Sequence, residues 1–178
     1  MSVIATERVL GIRALHRQLV LARDGAAGEL ADVLFDDQQW AVRYLVVDNL
    51  GPMPRRDVLV EPAQAEWSGA TLHLRLTRDE LKGCPDLDEH PPVYLQHDMS
   101  AVARPADPHL RSAEIMLGFA VRGRTAARRL IDIHVDPARW TINSLLLDSG
   151  VWLPGKHVTL DPREVKAIDW IARIIELR

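Results

Sequence analysis

Residues 30–48, LADVLFDDQQWAVRYLVVD, return one hundred positions later as residues 130–148, LIDIHVDPARWTINSLLLD. Leu30, Asp32, Asp36, Trp40, Leu45 and Asp48 are matched by Leu130, Asp132, Asp136, Trp140, Leu145 and Asp148, and the likeness continues through Pro54 and Pro154, Val58 and Val158, and Pro62 and Pro162. Nine identities fall in thirty-three aligned positions, where composition alone would give roughly two. The chain therefore carries one small unit twice. Within each copy, β-branched and aliphatic residues run up to an Asp-Asp or Asp-Pro pair, then resume after tryptophan. Aspartate favours turns, and proline suits a turn while removing a donor from a paired strand, so Asp36-Asp37 and Asp136-Pro137 mark hairpin turns.

Working outward, proline-terminated strands are expected at Asp57–Glu61 and His157–Asp161, with a strand ahead of each hairpin at Gln18–Ala22 and Gly118–Arg122. Gly25 and Gly28 are read as the turn after the first of these. Beyond Pro162 the second copy needs three inserted residues to restore the pattern, which aligns Trp67 with Trp170, Leu72 with Ile175 and Leu74 with Leu177. About five short strands per copy and almost no helical period predict an all-β fold of two small barrels, since closure removes exposed strand edges. One helix is expected: Thr77 and Glu80 have capping-box spacing and Gly83 offers a stop. The segment from Cys84 to Pro108 is rich in Pro, Asp and His and reads as a linker. The resulting division is 8–83 for the first domain, 84–110 for the linker and 111–178 for the second domain.

The run from Leu30 to Asp36, the run Val42 to Asp48 and the strand Val58 to Pro62, with their counterparts from Leu130 to Asp148 and Val158 to Pro162, resemble PRC-barrel domains in tandem. The resemblance covers most of residues 8–178 and extends to the segment Asp88–His97 after the first copy. It implies small, strongly bent β-barrels, as in the cytoplasmic domain of the photosynthetic reaction-centre H subunit and in a ribosomal RNA maturation factor. In those settings the barrel docks or assembles without chemistry of its own. No catalytic residue and no cofactor is implied. Arg128 stands where Gly28, typical of the family before the hairpin, stands in the first copy.

Composition narrows the functional classes. The 178 residues carry a net charge of −3, which provides no overall basic field and disfavours nucleic acid as a partner. The lone Cys84 excludes an internal disulfide and fits a reducing compartment, so cytoplasm is the expected location. No stretch reaches the length of a membrane-spanning helix, and no membrane insertion is expected.

Among individual residues, Asp132, His134 and Asp136 alternate along a strand and so share one face, which makes them the metal candidates. The first copy has Leu34 in place of His134, so the simpler account is a solvent-facing strand. Trp152 and Leu153 lie in a loop whose apolar side chains cannot all point inward, and they are the leading protein-contact residues. Arg55 and Arg56 occupy the equivalent loop of the first copy, while Arg122, Arg124, Arg128 and Arg129 form the strongest basic cluster. The expectation is a non-enzymatic module that contacts a protein partner or a second copy of itself. Metal or small-ligand regulation stands second and RNA-associated assembly third.

Overall fold

The computed structural model describes residues 9–49, 56–69, 71–96, 106–123, 128–148 and 157–178. Among these the chain is predominantly β. The strands of the first copy are β1 (Leu10–Gly11), β2 (Leu19–Ala22), β3 (Gly25–Asp36), β4 (Ala41–Asn49), β5 (Asp57–Val60), β6 (Ala65–Ser68) and β7 (Thr71–Leu74). Those of the second are β8 (Leu110–Ser112), β9 (Ala120–Arg122), β10 (Arg128–Asp136), β11 (Thr141–Asp148), β12 (His157–Leu160), β13 (Val165–Asp169) and β14 (Ile174–Leu177). Four short helices punctuate them: α1 (Ile12–Leu15), α2 (Arg78–Lys82), α3 (Val93–Gln96) and α4 (Ala113–Met116). Instead of closing into two separate barrels, the strands run through both copies in the order β13-β14-β9-β10-β11-β4-β3-β2-β7-β6.

The hairpin that decides the fold forms as its sequence requires. Asp36 Oδ1 accepts from the backbone N–H groups of Gln38 and Gln39, at 2.8 and 2.9 Å, and Asp136 Oδ1 accepts from Ala138 at 2.8 Å. Each turn ends on a tryptophan in the left-handed region, Trp40 and Trp140 both at φ 53°. Non-glycine residues adopt that region at a cost. Here it aims the tryptophan carbonyls at the other copy: Val42 N–H donates to Trp140 O at 2.8 Å, and Ile142 N–H donates to Trp40 O at 2.7 Å. Ala41 pairs with Thr141 between them, so a local two-fold axis passes through the point where the hairpins meet.

Around that axis the copies exchange strands. β1 pairs antiparallel with β10, Leu10 opposite Val135, while β8 pairs antiparallel with β3, Arg111 opposite Phe35. Each copy is thus completed by a strand from the other. The exchanged pieces are held by the repeated aspartates. Asp132 Oδ1 accepts from Arg13 N–H at 3.2 Å and Ile133 N–H at 2.9 Å. Asp32 Oδ1 does the same for Glu114 N–H at 3.0 Å and Val33 N–H at 2.7 Å, and its Oδ2 accepts the Ser112 hydroxyl. The repeat of Asp32 and Asp132 is explained by these bonds across the seam, which supply acceptors to the first turns of α4 and α1.

Burial pushes the Asp32 carboxyl up to about 6, against which the bonds from Ser112, Glu114 and Val33 act. A raised folded-state value means that the native protein binds this proton more tightly than the unfolded chain. The associated stability is complete below about pH 4 and is lost as the pH rises through about 6, a swing of roughly 2–3 kcal/mol. Asn at this position keeps one acceptor oxygen for the two N–H groups and can donate to Ser112. Urea midpoints at pH 4 and pH 7 should therefore show the Asp32→Asn protein gaining on the wild type at pH 7, whereas parallel pH profiles would contradict this.

One hydrophobic cluster draws from both copies, including Leu30, Val33, Phe35 and Leu45 with Leu130, Ile133, Val135 and Leu145. A second, smaller cluster of Leu34, Val46, Leu59 and Leu110 lies on the first copy. The segment read as a linker helps to cover it, with Leu87 against the cluster and His90 stacked on Tyr44 at 5.6 Å. Leu59 N–H donates to Pro85 O at 2.8 Å, and Pro91 and Pro92 are buried. Where it is described, this segment is packed structure fastened to the first copy. Helix α2 has the expected full capping box between Thr77 and Glu80, and Gly83 is its C-cap.

Three alignment details differ from the sequence reading. The turn after β2 is Arg23-Asp24, and Gly25 and Gly28 lie inside β3 at φ 137° and 156°, a backbone open to glycine. The register places Val20 against Leu72 and Val121 against Ile175, so the copies are offset by 101 residues ahead of the hairpins. Trp67 sits opposite Leu72, as Ile168 sits opposite Ile175, so Ile168 is its counterpart. The inserted residues are Lys166, at an irregularity in the β13 pairing, and two residues of the turn holding Trp170.

Candidate functional site

Most of the polar residues singled out by sequence have structural partners. Asp132 accepts from the backbone of α1, and the His134 ring nitrogen Nδ1 lies 3.0 Å from Ser144 Oγ. Asp136 closes its own turn and binds Arg139 at 3.1 Å. The three metal candidates are thus engaged separately, and among the described residues no group of three or more His, Cys, Asp or Glu side chains could hold an ion. His134, Leu146 and Thr159 stand at the positions of Leu34, Val46 and Leu59, the face against which Leu87 packs in the first copy.

Arg56 is likewise committed. Its Nε donates to Asp86 at 2.8 Å and its Nη1 to Lys82 O at 3.1 Å, so it pins the packed segment to the first copy. The Asp86 carboxylate raises the Arg56 guanidinium further above its ordinary value. Arg128 and Arg129 are strand neighbours whose side chains project to opposite faces, so they do not make one patch. Arg129 Nη1 donates to Gly118 O at 3.1 Å, while Arg122 is exposed at the end of β9. Arg55, Arg124, Trp152 and Leu153 lie outside the described residues. Burial pushes the Cys84 thiol up, away from the thiolate a nucleophile needs.

The groups that the structure does gather lie at the seam between the copies. A cleft of about 500 Å³ is lined by Asp37, His109 and Arg111 on one side and Arg163, Lys166 and Arg178 on the other. Its anchor is a buried ion pair: Arg111 Nε to Asp37 Oδ2 at 2.5 Å, each side chain 11% exposed, with His109 Nδ1 2.9 Å from Asp37 Oδ1. The guanidinium of Arg111 lies 5.2 Å from the Trp170 ring centre, and Trp170 meets Phe119 edge to face at 5.1 Å. Delocalised cations stack well on indole, so the pair is held from two directions. Opposite, Arg163 binds Asp161 at 2.7 Å, and Arg178 Nε donates to Arg163 O at 3.1 Å.

Comparison of the copies isolates this cleft. By register, the positions of Asp37, Gln38, Arg111 and Arg163 are Pro137, Ala138, Leu10 and Ala63 on the symmetry-related side, and Lys166 has no counterpart. Trp40 and Arg178, matched by Trp140 and Arg75, are the shared frame. Sequence reasoning missed Asp37, His109 and Arg111 because they come together only through the strand exchange. The one legible signal was Asp37 against Pro137. No protein-family model matches the chain, and no curated protein gives a significant match to it. The fold and the seam geometry therefore carry the functional reading by themselves.

Proposed function

We propose that the chain is a non-enzymatic docking module, two PRC-type units fused about a local two-fold axis and acting in the cytoplasm on a protein partner. Each unit on this reading is a bent PRC-type barrel whose edges are completed by the strand taken from its twin. The observation that supports docking most is Ile171, 81% exposed at the turn that the second copy alone enlarges. An apolar side chain so placed exposes surface to water unless a partner covers it. Its mount is rigid, because the adjacent Trp170 is fixed against Phe119 and Arg111.

Cross-linking and affinity capture from native extract, compared across variants, test this reading. Ile171→Asp and Trp152→Ala should each lose a stoichiometric partner recovered with the wild type, with unchanged unfolding midpoints. Light scattering on the purified protein distinguishes a second copy of the chain from a foreign protein as that partner. Retention of the same partner at full yield by both variants would overturn the assignment.

A further inference from the structure

The seam cleft contains four arginine or lysine side chains, Arg111, Arg163, Lys166 and Arg178, against one lining carboxylate side chain, Asp37. Asp37 is spent on Arg111, and Arg163 is met by Asp161 from outside the lining. Among the described residues no carboxylate side chain pairs with Lys166 or Arg178, although the chain as a whole is acidic at −3. A concave surface with surplus positive charge on an acidic protein concentrates anions locally. The surplus is also specific to one side. The equivalent region across the two-fold axis carries Pro137, Ala138, Leu10 and Ala63 and has no lysine insertion, so building the fold twice accounts for Arg178, matched by Arg75, but not for Arg111, Arg163 or Lys166.

We propose that this cleft binds a small multivalent oxyanion, a phosphorylated or polycarboxylate molecule, with Lys166 and Arg178 as its charged contacts. Lys166 contributes because the irregularity at Val165–Ala167 adds it to a strand that otherwise matches β6. Arg178 is positioned by its bond to Arg163 O, which leaves the rest of the guanidinium to donate. Planar guanidinium suits the paired oxygens of either anion. Trp40 forms part of the wall from the hairpin that meets the other copy, so an occupant would touch both halves of the molecule. The cleft reaches the Ile171 turn through Arg111, which lies against Trp170, and its anion chemistry holds or fails independently of the docking reading.

Isothermal titration at low ionic strength with pyrophosphate and, separately, citrate tests the site, with the two arms distinguishing phosphate from carboxylate chemistry. Saturable binding of either anion is expected, and Lys166→Glu should weaken it by about tenfold or more. Lys166 is exposed, so that variant should fold, which its thermal midpoint checks. Arg75→Ala, on the opposite side at the position matching Arg178, should leave binding unchanged. Absence of saturable heat with both anions at millimolar concentration, or equal weakening by Arg75→Ala and Lys166→Glu, would overturn the proposal.

Discussion

Replacing Asp37 with alanine should destabilise the protein by about 3 kcal/mol, because it strands the Arg111 guanidinium in a buried position. The ion pair links the first copy's hairpin to the strand β8 donated from the second, so the loss is felt at the exchange itself. Asn at position 37 keeps an acceptor for Arg111 and should cost less. The compensating change is written in the other half of the molecule, where Leu10 occupies the position of Arg111. Adding Arg111→Leu to Asp37→Ala should recover much of the loss, since two apolar groups leave no charge unpaired. Urea unfolding of the single and double variants measures this directly. An Asp37→Ala midpoint equal to that of the wild type would show that the pair contributes nothing.

The second large effect is expected at Phe35. Its side chain is completely buried, stacks on Trp40 at 5.5 Å and sits on the strand that receives β8. Phe35→Ala should cost about 3–5 kcal/mol through lost transfer energy and the cavity left behind. The cost should not stay in the first copy. Phe35 belongs to a cluster continuous with Val135 and Ile133, and the strand order runs unbroken from β3 through β4 to β11.

How far the sequence revealed this arrangement can be judged residue by residue. The hairpins were legible because their signals are local: aspartate, then aspartate or proline, between alternating aliphatic residues. The capping box of α2 was legible for the same reason. The exchange was not. β1 and β8 are two and three residues long, too short for any period, and what defines them is pairing with residues more than 70 positions away. The Trp67 alignment failed because matching by residue type hid the separate insertion at Lys166. The packing of Leu87 on the cluster of Leu34 was not legible, because it joins segments distant in sequence. Differences between the copies, such as Asp37 against Pro137, gain meaning only because the fold brings Asp37, Arg111 and Lys166 to one cleft.

Reciprocal strand exchange should make the two copies a single cooperative unit. Native-state hydrogen exchange on Phe35→Ala tests it most directly, read at the amides of β10 and β11 in the unmutated copy. If the copies unfold together, protection there should fall by the same free energy as in β3 and β4. Wild-type protection in β10 and β11 alongside weakened protection in β3 and β4 would mean two independent domains, and would contradict the account.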